Sequence, residues 1–477
     1  MRLDKMADTY DLIIIGAGSG GLTAAEFVAR LGTKTALIEK HHVGGDCTWT
    51  GCVPSKALIK AAKVAHYARN ASRYGIMAGP SITDMRKVRQ YVREAINEVY
   101  RYETPEELAR KGIEVVIGSA RFLDAHTVGA GDRKLSARNF VIATGAHPVI
   151  PNITGLREVP FFTYQQIFDN DRLPERLIVI GGGPTGAEVA QAYRRLGSQV
   201  IMVCSRPLPK EEPEASEVIG RVFAREGLQF VVGKATAARK DGAEIVVNVK
   251  EQEIRGDMLL VATGRAPNVE GLGLEEAGVT YSPRGIQVDE YLRTSAKHIY
   301  AAGDCLGGYQ FTHFAGWQAF QAVRNALLPG RSRGFSDVVP WTTFTDPEVA
   351  HVGLTEEKAR EEFGEAVRVA RWNMDRTDRA VCENDQDGFV KVVYKKDGTV
   401  LGATIVAGRA GEAITEFVLA LNHGLRVGDL ASAIHVYPTY STAVGQLAAE
   451  VTLNRLLTGP SGKAIRGLSR AIRSLGV

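Results

Sequence analysis

Residues 10–40 read YDLIIIGAGSGGLTAAEFVARLGTKTALIEK. An apolar run, Leu12 to Ile15, meets Gly16, Gly18 and Gly21, then a helical pattern, then a second apolar run ending at Glu39. A lone Gly-x-Gly-x-x-Gly says little. Strand, glycines, helix and terminal acid in this order predict a dinucleotide-binding βαβ unit. The glycines permit a tight turn and a close backbone approach, so a pyrophosphate can sit on the helix N-terminus. Glu39, eighteen positions after Gly21, is placed to accept hydrogen bonds from a ribose 2′-hydroxyl. The alternative, a glycine-rich corner that holds no ligand, does not call for the terminal acid.

The same unit returns at 175–210, ERLIVIGGGPTGAEVAQAYRRLGSQVIMVCSRPLPK, with Gly181, Gly183 and Gly186 after the strand Leu177 to Ile180. Eighteen positions after Gly186 stands Cys204, where the first unit has its acid, and Ser205, Arg206 and Lys210 follow. A 2′-phosphate is repelled by an acid and welcomed by Arg206, which tilts this site toward NADPH or toward both nicotinamides. A solvated surface arginine is the alternative. Two unlike dinucleotide sites predict one tightly held group, FAD at the first, and one exchanging hydride donor, NADPH or NADH, at the second. Each unit leads to an apolar strand ending in Ala-Thr-Gly: FVIATGAHP, with Thr144 and Gly145, and LLVATGRAPN, with Gly264. Such endings suit a close backbone crossing between two nucleotide-binding domains. HIYAAGDC at 298–305 adds Asp304, a candidate acceptor for a ribityl hydroxyl.

At 477 residues the chain is long for one core. Apolar residues make up 45% and charged residues 23%, ordinary for a globular protein, and a net charge of +4 gives no reason to expect nucleic acid. The opening MRLDKMADTY lacks the apolar core of a signal peptide, and no run approaches ~18 apolar residues. Five cysteines, an odd number scattered over a large chain, do not suit a secreted disulfide scaffold, so a reducing, cytoplasmic compartment is expected.

Two of those cysteines, Cys47 and Cys52, lie in GGDCTWTGCVPSK at 44–56. Zinc takes about four ligands. Here only His41 and His42 stand near, so no metal site is expected. A buried structural pair is a second alternative. A redox-active pair at the start of a helix fits best, because a helix N-terminus and a nearby flavin both stabilise the attacking thiolate. Trp49, between the cysteines, is expected to line the approach.

Taken in order, GAGSGG, GGDCTWTGCVPSK, ATG, GGGPTGAE, ATGRAPN and AAGDC resemble the class I pyridine nucleotide-disulfide oxidoreductases, the family of dihydrolipoamide dehydrogenase, glutathione reductase and mercuric reductase. The resemblance implies an α/β fold of two Rossmann-like dinucleotide-binding domains plus a C-terminal α+β dimerisation domain. The FAD domain is expected at 1–150 and 269–335, the NAD(P) domain at 151–268 and the dimerisation domain at 336–460. It implies FAD extended across the first domain, with Gly45 among its contacts, nicotinamide on one flavin face and the disulfide on the other. Cys52 is then the flavin-side sulfur and Cys47 the exchanging one. Lys56 lies near flavin N5, paired with Glu188. A homodimer follows, since the dimerisation domain completes the partner's active site.

The pattern departs from that family in two places. Where the disulfide reductases carry His-x-His-Pro-Thr-x-Ser-Glu, this chain reads IHVYPTYSTA: His435 matches the first His, Tyr437 takes the catalytic position and Thr442 replaces the Glu. A phenol near 10 costs roughly 4 kcal/mol more to deprotonate than a group of pKa 7. Tyr437 and DRAVCENDQDGFVKVV resemble the mercuric reductase branch, yet the tail SGKAIRGLSRAIRSLGV at 461–477 lacks that branch's cysteine pair. The tail's Lys463, Arg466, Arg470 and Arg473, with Ile465, Leu468, Ile472 and Leu475, form a basic amphipathic pattern. Packing on the dimer or fraying in solvent is favoured over membrane-surface contact because the segment is short. The expectation is therefore an NAD(P)H oxidoreductase that passes two electrons through Cys47 and Cys52 to a disulfide, a metal ion or another small acceptor. Dihydrolipoamide dehydrogenase proper and a redox-sensing flavoprotein without turnover are the alternatives.

Overall fold

The computed structural model describes residues 8–79 and 82–458, and beyond them only 462, 464, 467 and 469–472. The basic pattern expected at 461–477 therefore lies largely outside the described residues. The chain divides into two compact units: residues up to Ser205 with Gly227–Ser336, and Arg206–Glu226 with the residues from Asp337 on.

In the first unit, β1 (Asp8–Ile15), α1 (Ser19–Ala29) and β2 (Thr35–Glu39) form the opening βαβ unit. Leu12, Ile13 and Ile14 are wholly buried, because a parallel sheet covered on both faces asks for a continuous apolar run. α2 (Gly45–Trp49), α3 (Cys52–Arg69), α4 (Met85–Tyr100) and α5 (Pro105–Arg110) follow. Then come β3 (Ile113–Ile117), β4 (Ala120–Asp124), β5 (Thr127–Ala130) and the long β6 (Arg133–Ile142). β1 runs parallel along β6 from Leu135 to Ile142, while the other edge of β6 pairs antiparallel with β5 in its near half and parallel with a strand at Ile299–Ala301 in its far half.

β7 (Ala146–Pro148) leads to β8 (Arg176–Ile180), α6 (Pro184–Leu196) and β9 (Gln199–Cys204). The chain then contributes α7 (Pro213–Arg225) to the second unit and returns as β10 (Gln229–Val232). β11 (Ala235–Asp241), β12 (Glu244–Val249) and β13 (Gln252–Gly256) form an antiparallel sheet, and β14 (Met258–Val261) completes the parallel order β10-β9-β8-β14. β15 (Arg265–Pro267) pairs with β7, which makes the crossing expected after the two Ala-Thr-Gly endings. Gly145 and Gly264 serve it by conformation rather than by crowding: their φ values are +70° and +141°, and a Cβ at either would meet nothing within 4 Å. β16 (Tyr281–Ser282), β17 (Gly285–Ile286), β18 (Ile299–Ala301) and α8 (Thr312–Leu327) close the unit.

The two fingerprints pack alike. A Cβ on Gly16 would stand 2.4 Å from the Ala143 carbonyl oxygen, and one on Gly181 would stand 2.2 Å from that of Ala262. A Cβ on Gly21 would fall 1.8 Å from the Gly16 oxygen, and one on Gly186 2.2 Å from the Gly181 oxygen. Only glycine allows helix and strand to approach so closely.

The second unit is α+β. β19 (Trp341–Thr343), β20 (Glu348–Gly353), β21 (Val367–Asn373), β22 (Phe389–Lys395) and β23 (Val400–Ala407) form an antiparallel sheet in the order β19-β20-β23-β22-β21. Around it lie α9 (Glu356–Phe363), α10 (Asp378–Glu383), α11 (Ala410–Ala413), α12 (Thr415–His423), α13 (Val427–Ser432) and α14 (Thr442–Thr458). The segment Arg206–Glu226, expected within the nicotinamide stretch, clusters here. The reason is Lys391, 2% exposed in the middle of β22. Its ammonium lies 3.1 Å from Glu212, 2.8 Å from Glu214 and 2.9 Å from Glu356. A buried ammonium must be paired, and two of its carboxylates are at the start of α7. Among the described residues no helix is long and apolar enough to cross a membrane.

Candidate active site

Cys47 sits in α2 and Cys52 opens α3, both as free thiols, Cys47 half-buried and Cys52 exposed. Gly51 joins the two helices tightly, since a Cβ there would stand 2.7 Å from the Asp46 carbonyl oxygen. Thr312, the first residue of α8, brings its hydroxyl to 3.2 Å from the Cys52 sulfur. One turn along α3, the Lys56 ammonium lies 3.0 Å from Glu188 Oε2 of α6, so the structure brings Cys47, Cys52, Lys56 and Glu188 together. Thr312 escaped the sequence reading. It lies 260 residues from Cys52, and a threonine at a helix start reads as a cap.

These neighbours divide the two thiols. The Cys47 hydrogen bond pushes Cys52 down to about 6; Thr312 and the Lys56 charge help, while burial and Glu188 oppose. Cys47 is driven up, first because its proton is the one it shares with Cys52, then by burial. At neutral pH the reduced pair is a thiolate at Cys52 hydrogen-bonded by a thiol at Cys47. Trp49, expected to line the approach, is anchored at both its N–H and its ring. Its indole N–H donates to the Val43 carbonyl at 2.7 Å, and its ring packs against Tyr100 and His42, each at 4.9 Å.

The remaining residues fit two dinucleotides to different degrees. Gly18 caps α1 with no side chain of its own on the first-turn N–H groups, and a Cβ on Gly45 would strike the Gly18 Cα at 2.6 Å. That bare crossing of backbones at a helix N-terminus suits a pyrophosphate. Gly183 caps α6 in the same way, and a Cβ there would meet nothing within 4 Å, so the space before the helix is clear. Glu39 is buried and accepts from the Ala17 and His41 N–H groups at 2.8 Å each, leaving further lone pairs for a ribose. The Thr144 hydroxyl donates to the Asn268 carbonyl at 2.8 Å, and the Asn268 amide returns a bond to the Thr144 carbonyl at 2.8 Å.

Asp304, the candidate ribityl acceptor, lies in an ion pair. Arg265 holds it at 2.8 Å, and burial raises its carboxyl above the usual range against that pairing. Arg265 was present in the quoted ATGRAPN but unassigned. Arg206 lies in the second unit, where its guanidinium donates to the Pro209 carbonyl at 3.1 Å.

Within the second unit His435 and Tyr437 turn to different partners. Tyr437 is 67% exposed and donates its hydroxyl to Asp378, whose carboxylate raises the phenol above its ordinary value. His435 lies with Nε2 2.8 Å from Glu416 Oε2 and Nδ1 3.1 Å from the Ala433 carbonyl. Its ring rests on Gly445, where a Cβ would come within 2.6 Å of Nδ1. Among the described residues no group of three or more His, Cys, Asp or Glu could hold a metal ion.

Comparison with known proteins adds the following. A family profile described as pyridine nucleotide-disulphide oxidoreductase matches residues 10–319, and its dimerisation-domain profile matches 339–448. Mercuric reductase from Bacillus cereus is 36% identical over 440 residues, covering 90% of this chain and 69% of the relative. Dihydrolipoyl dehydrogenase from Thermus scotoductus is 36% identical over 458 residues, covering 92% of this chain and 97% of the relative. Among solved structures, the HOCl-induced flavoprotein disulfide reductase RclA from Escherichia coli superposes with a TM-score of 0.85 at 28% identity, over 93% of this chain and 100% of that one.

Proposed function

The chain belongs to the pyridine nucleotide-disulfide oxidoreductase family, and from that premise we infer that it runs as an NAD(P)H-driven reductase whose working thiolate is Cys52. It is an FAD-dependent enzyme that passes two electrons through a redox-active disulfide to a disulfide, a metal ion or another small acceptor. Its dimerisation domain makes it a homodimer.

The observation that carries this reading is the setting of Cys52, with the Cys47 thiol, the Thr312 hydroxyl and the Lys56 charge all favouring its anion. Bound FAD would supply the two-electron chemistry that links the reduced nicotinamide to the disulfide. Gly16, Gly18, Gly21 and Gly45 would hold its pyrophosphate, Glu39 a ribose, and Asp304 with Thr144 and Gly145 the stretch toward the ring. Gly181, Gly183, Gly186 and Gly264 would hold the nicotinamide cosubstrate. When the pair of electrons enters, the Cys47–Cys52 bond breaks, Cys52 is left as thiolate, and Cys47 takes up one proton. Lys56, steadied by Glu188, balances the new charge. Cys47 then gives up that proton and attacks the acceptor, and Cys52 closes back on Cys47 to release the reduced product.

Tyr437 sets the direction. With its proton held on Asp378, its oxygen can accept a hydrogen bond in the acceptor pocket of the partner subunit, and the phenol, raised above its ordinary value, does not serve as a base for taking protons from a dithiol. One observation favours the second reading, dithiol oxidation with NAD: the His435–Glu416 pair offers an imidazole already backed by a carboxylate. The compartment of this reading is the cytoplasm, since five cysteines, an odd number scattered over a large chain, do not suit a secreted disulfide scaffold. Anaerobic titration with NADPH and NADH tests the core of the proposal. A long-wavelength thiolate-to-flavin band is expected, and its persistence in Cys52→Ser would refute the assignment. Steady-state rates with lipoamide, oxidised glutathione, Hg(II) and quinones, against dihydrolipoamide with NAD, then separate the two directions.

A further inference from the structure

We propose that Asp46 is a positioning residue for the redox pair: its carboxylate, clamped by Arg265, Tyr164 and Thr50, fixes the short helix α2 so that the Cys47 thiol stays aimed at Cys52. This rests on the redox-pair reading above and adds how the pair is held. Asp46 Oδ2 accepts from the Tyr164 hydroxyl at 2.8 Å and from the Arg265 guanidinium at 3.0 Å, while Oδ1 accepts from the Thr50 hydroxyl at 3.2 Å. Tyr164 and Arg265 stand 118 and 219 residues further along the chain. The second terminal nitrogen of Arg265 lies 2.8 Å from Asp304, and its guanidinium faces the Tyr164 ring at 5.4 Å. One guanidinium therefore spans two carboxylates, one beside the exchange cysteine and one on the segment assigned to the ribityl chain. The Arg265 and Asp304 side chains are 26% and 12% exposed, so the bond between them is shielded from water, while the Asp46 carboxylate, 34% exposed, sits at the edge of the cluster.

Five residues make a helix too short to hold its own direction in water. Its orientation must come from outside, and Asp46 supplies two of the bonds that set it, from Tyr164 and Arg265, while the Thr50 bond closes the helix on itself; Thr48, bonded to Glu103 at 2.9 Å, supplies another outside bond. Once the S–S bond opens, nothing covalent keeps the two sulfurs together. The groups facing them are Lys56 and Glu188, with the hydroxyls of Thr312 and Ser19. The Cys47 thiol is the foremost stabiliser of the Cys52 anion, so a loosened α2 weakens that anion. A simple charge effect has the opposite sign, since removing a carboxylate near a thiolate stabilises it.

The test is the holoenzyme variant D46N, reduced anaerobically by two electrons, with the thiolate-to-flavin absorbance followed against pH. Loosening moves the midpoint up by about one unit, roughly a tenfold loss of thiolate at a fixed pH below it. The rate of flavin reduction by NADPH stays as in the parent. Y164F, which keeps the ion pair and removes one neutral donor, moves the midpoint the same way by less, and it carries the test alone if D46N fails to retain flavin. A parent band with a D46N midpoint unmoved or lowered overturns this proposal and leaves the redox pair standing. A parent enzyme with no band at all overturns both.

Discussion

Cys52 is acidic because of what surrounds one sulfur atom, and that makes its behaviour measurable. In the two-electron-reduced enzyme its thiolate is expected to appear with a midpoint near 6, where the Cys47 hydrogen bond and the Thr312 hydroxyl place it. T312V deletes one hydroxyl without altering charge and should raise the midpoint by about half a unit to one unit, in line with the loss of one hydrogen bond to an anion. A spectroscopic pH titration checks it, and an unchanged midpoint would remove Thr312 from the site. At this scale the sequence was legible only where chemistry is local. Cys47, Cys52 and Lys56 share one decapeptide, and their order alone suggests their use. The bonds that tune them reach across 118 to 260 residues, from Tyr164, Arg265 and Thr312, each an ordinary residue in its own stretch. Nothing in a single sequence marks a tyrosine as the partner of a distant aspartate.

Strands and helices show a sharper contrast between what glycine must do and what it merely permits. G186A would thrust a methyl group onto the Gly181 carbonyl oxygen, so it should lower Tm and cost upward of 2 kcal/mol. G183A meets no protein atom, so it should leave Tm unchanged yet raise the KM for NADPH several-fold, because the methyl fills the space kept for the pyrophosphate. Thermal melts beside nicotinamide kinetics distinguish the pair. The βαβ units were legible because pattern, turn and helix all point the same way. α7, in the stretch expected within the nicotinamide domain, groups with the second unit, and the clue to its docking is the lysine inside the apolar GFVKVVY of β22.

Glu211, just before α7, extends this point. Burial pushes its carboxyl up to about 7, Glu212 adds to the rise and the Trp341 hydrogen bond opposes it. The folded chain holds a proton there that the unfolded chain releases near 4.5. Its contribution is therefore complete below that value and fades as pH climbs to about 7, by on the order of 3 kcal/mol in all. E211Q should flatten the fall of Tm between pH 5 and 7; an identical slope would place the titrating group elsewhere.

At the scale of the molecule, the loop carrying His435 and Tyr437 leaves Ile434 fully exposed and Val436 76% exposed. Large apolar side chains so placed in a dimerisation domain are the expected seat of a second subunit. I434E should weaken the dimer in sedimentation and abolish acceptor turnover, while NADPH still bleaches the flavin; a dimer of unchanged strength would put the contact elsewhere. The same wholeness has a price during synthesis. β6 gains its last parallel neighbour only from β18, about 160 residues downstream. At a ribosomal pace of roughly 5–20 residues per second, a raw sheet edge waits some 10–30 s beside the exit tunnel. Newly made chains are thus expected to expose that edge to holdase chaperones until β18 emerges, and flavin loading is expected only after that point.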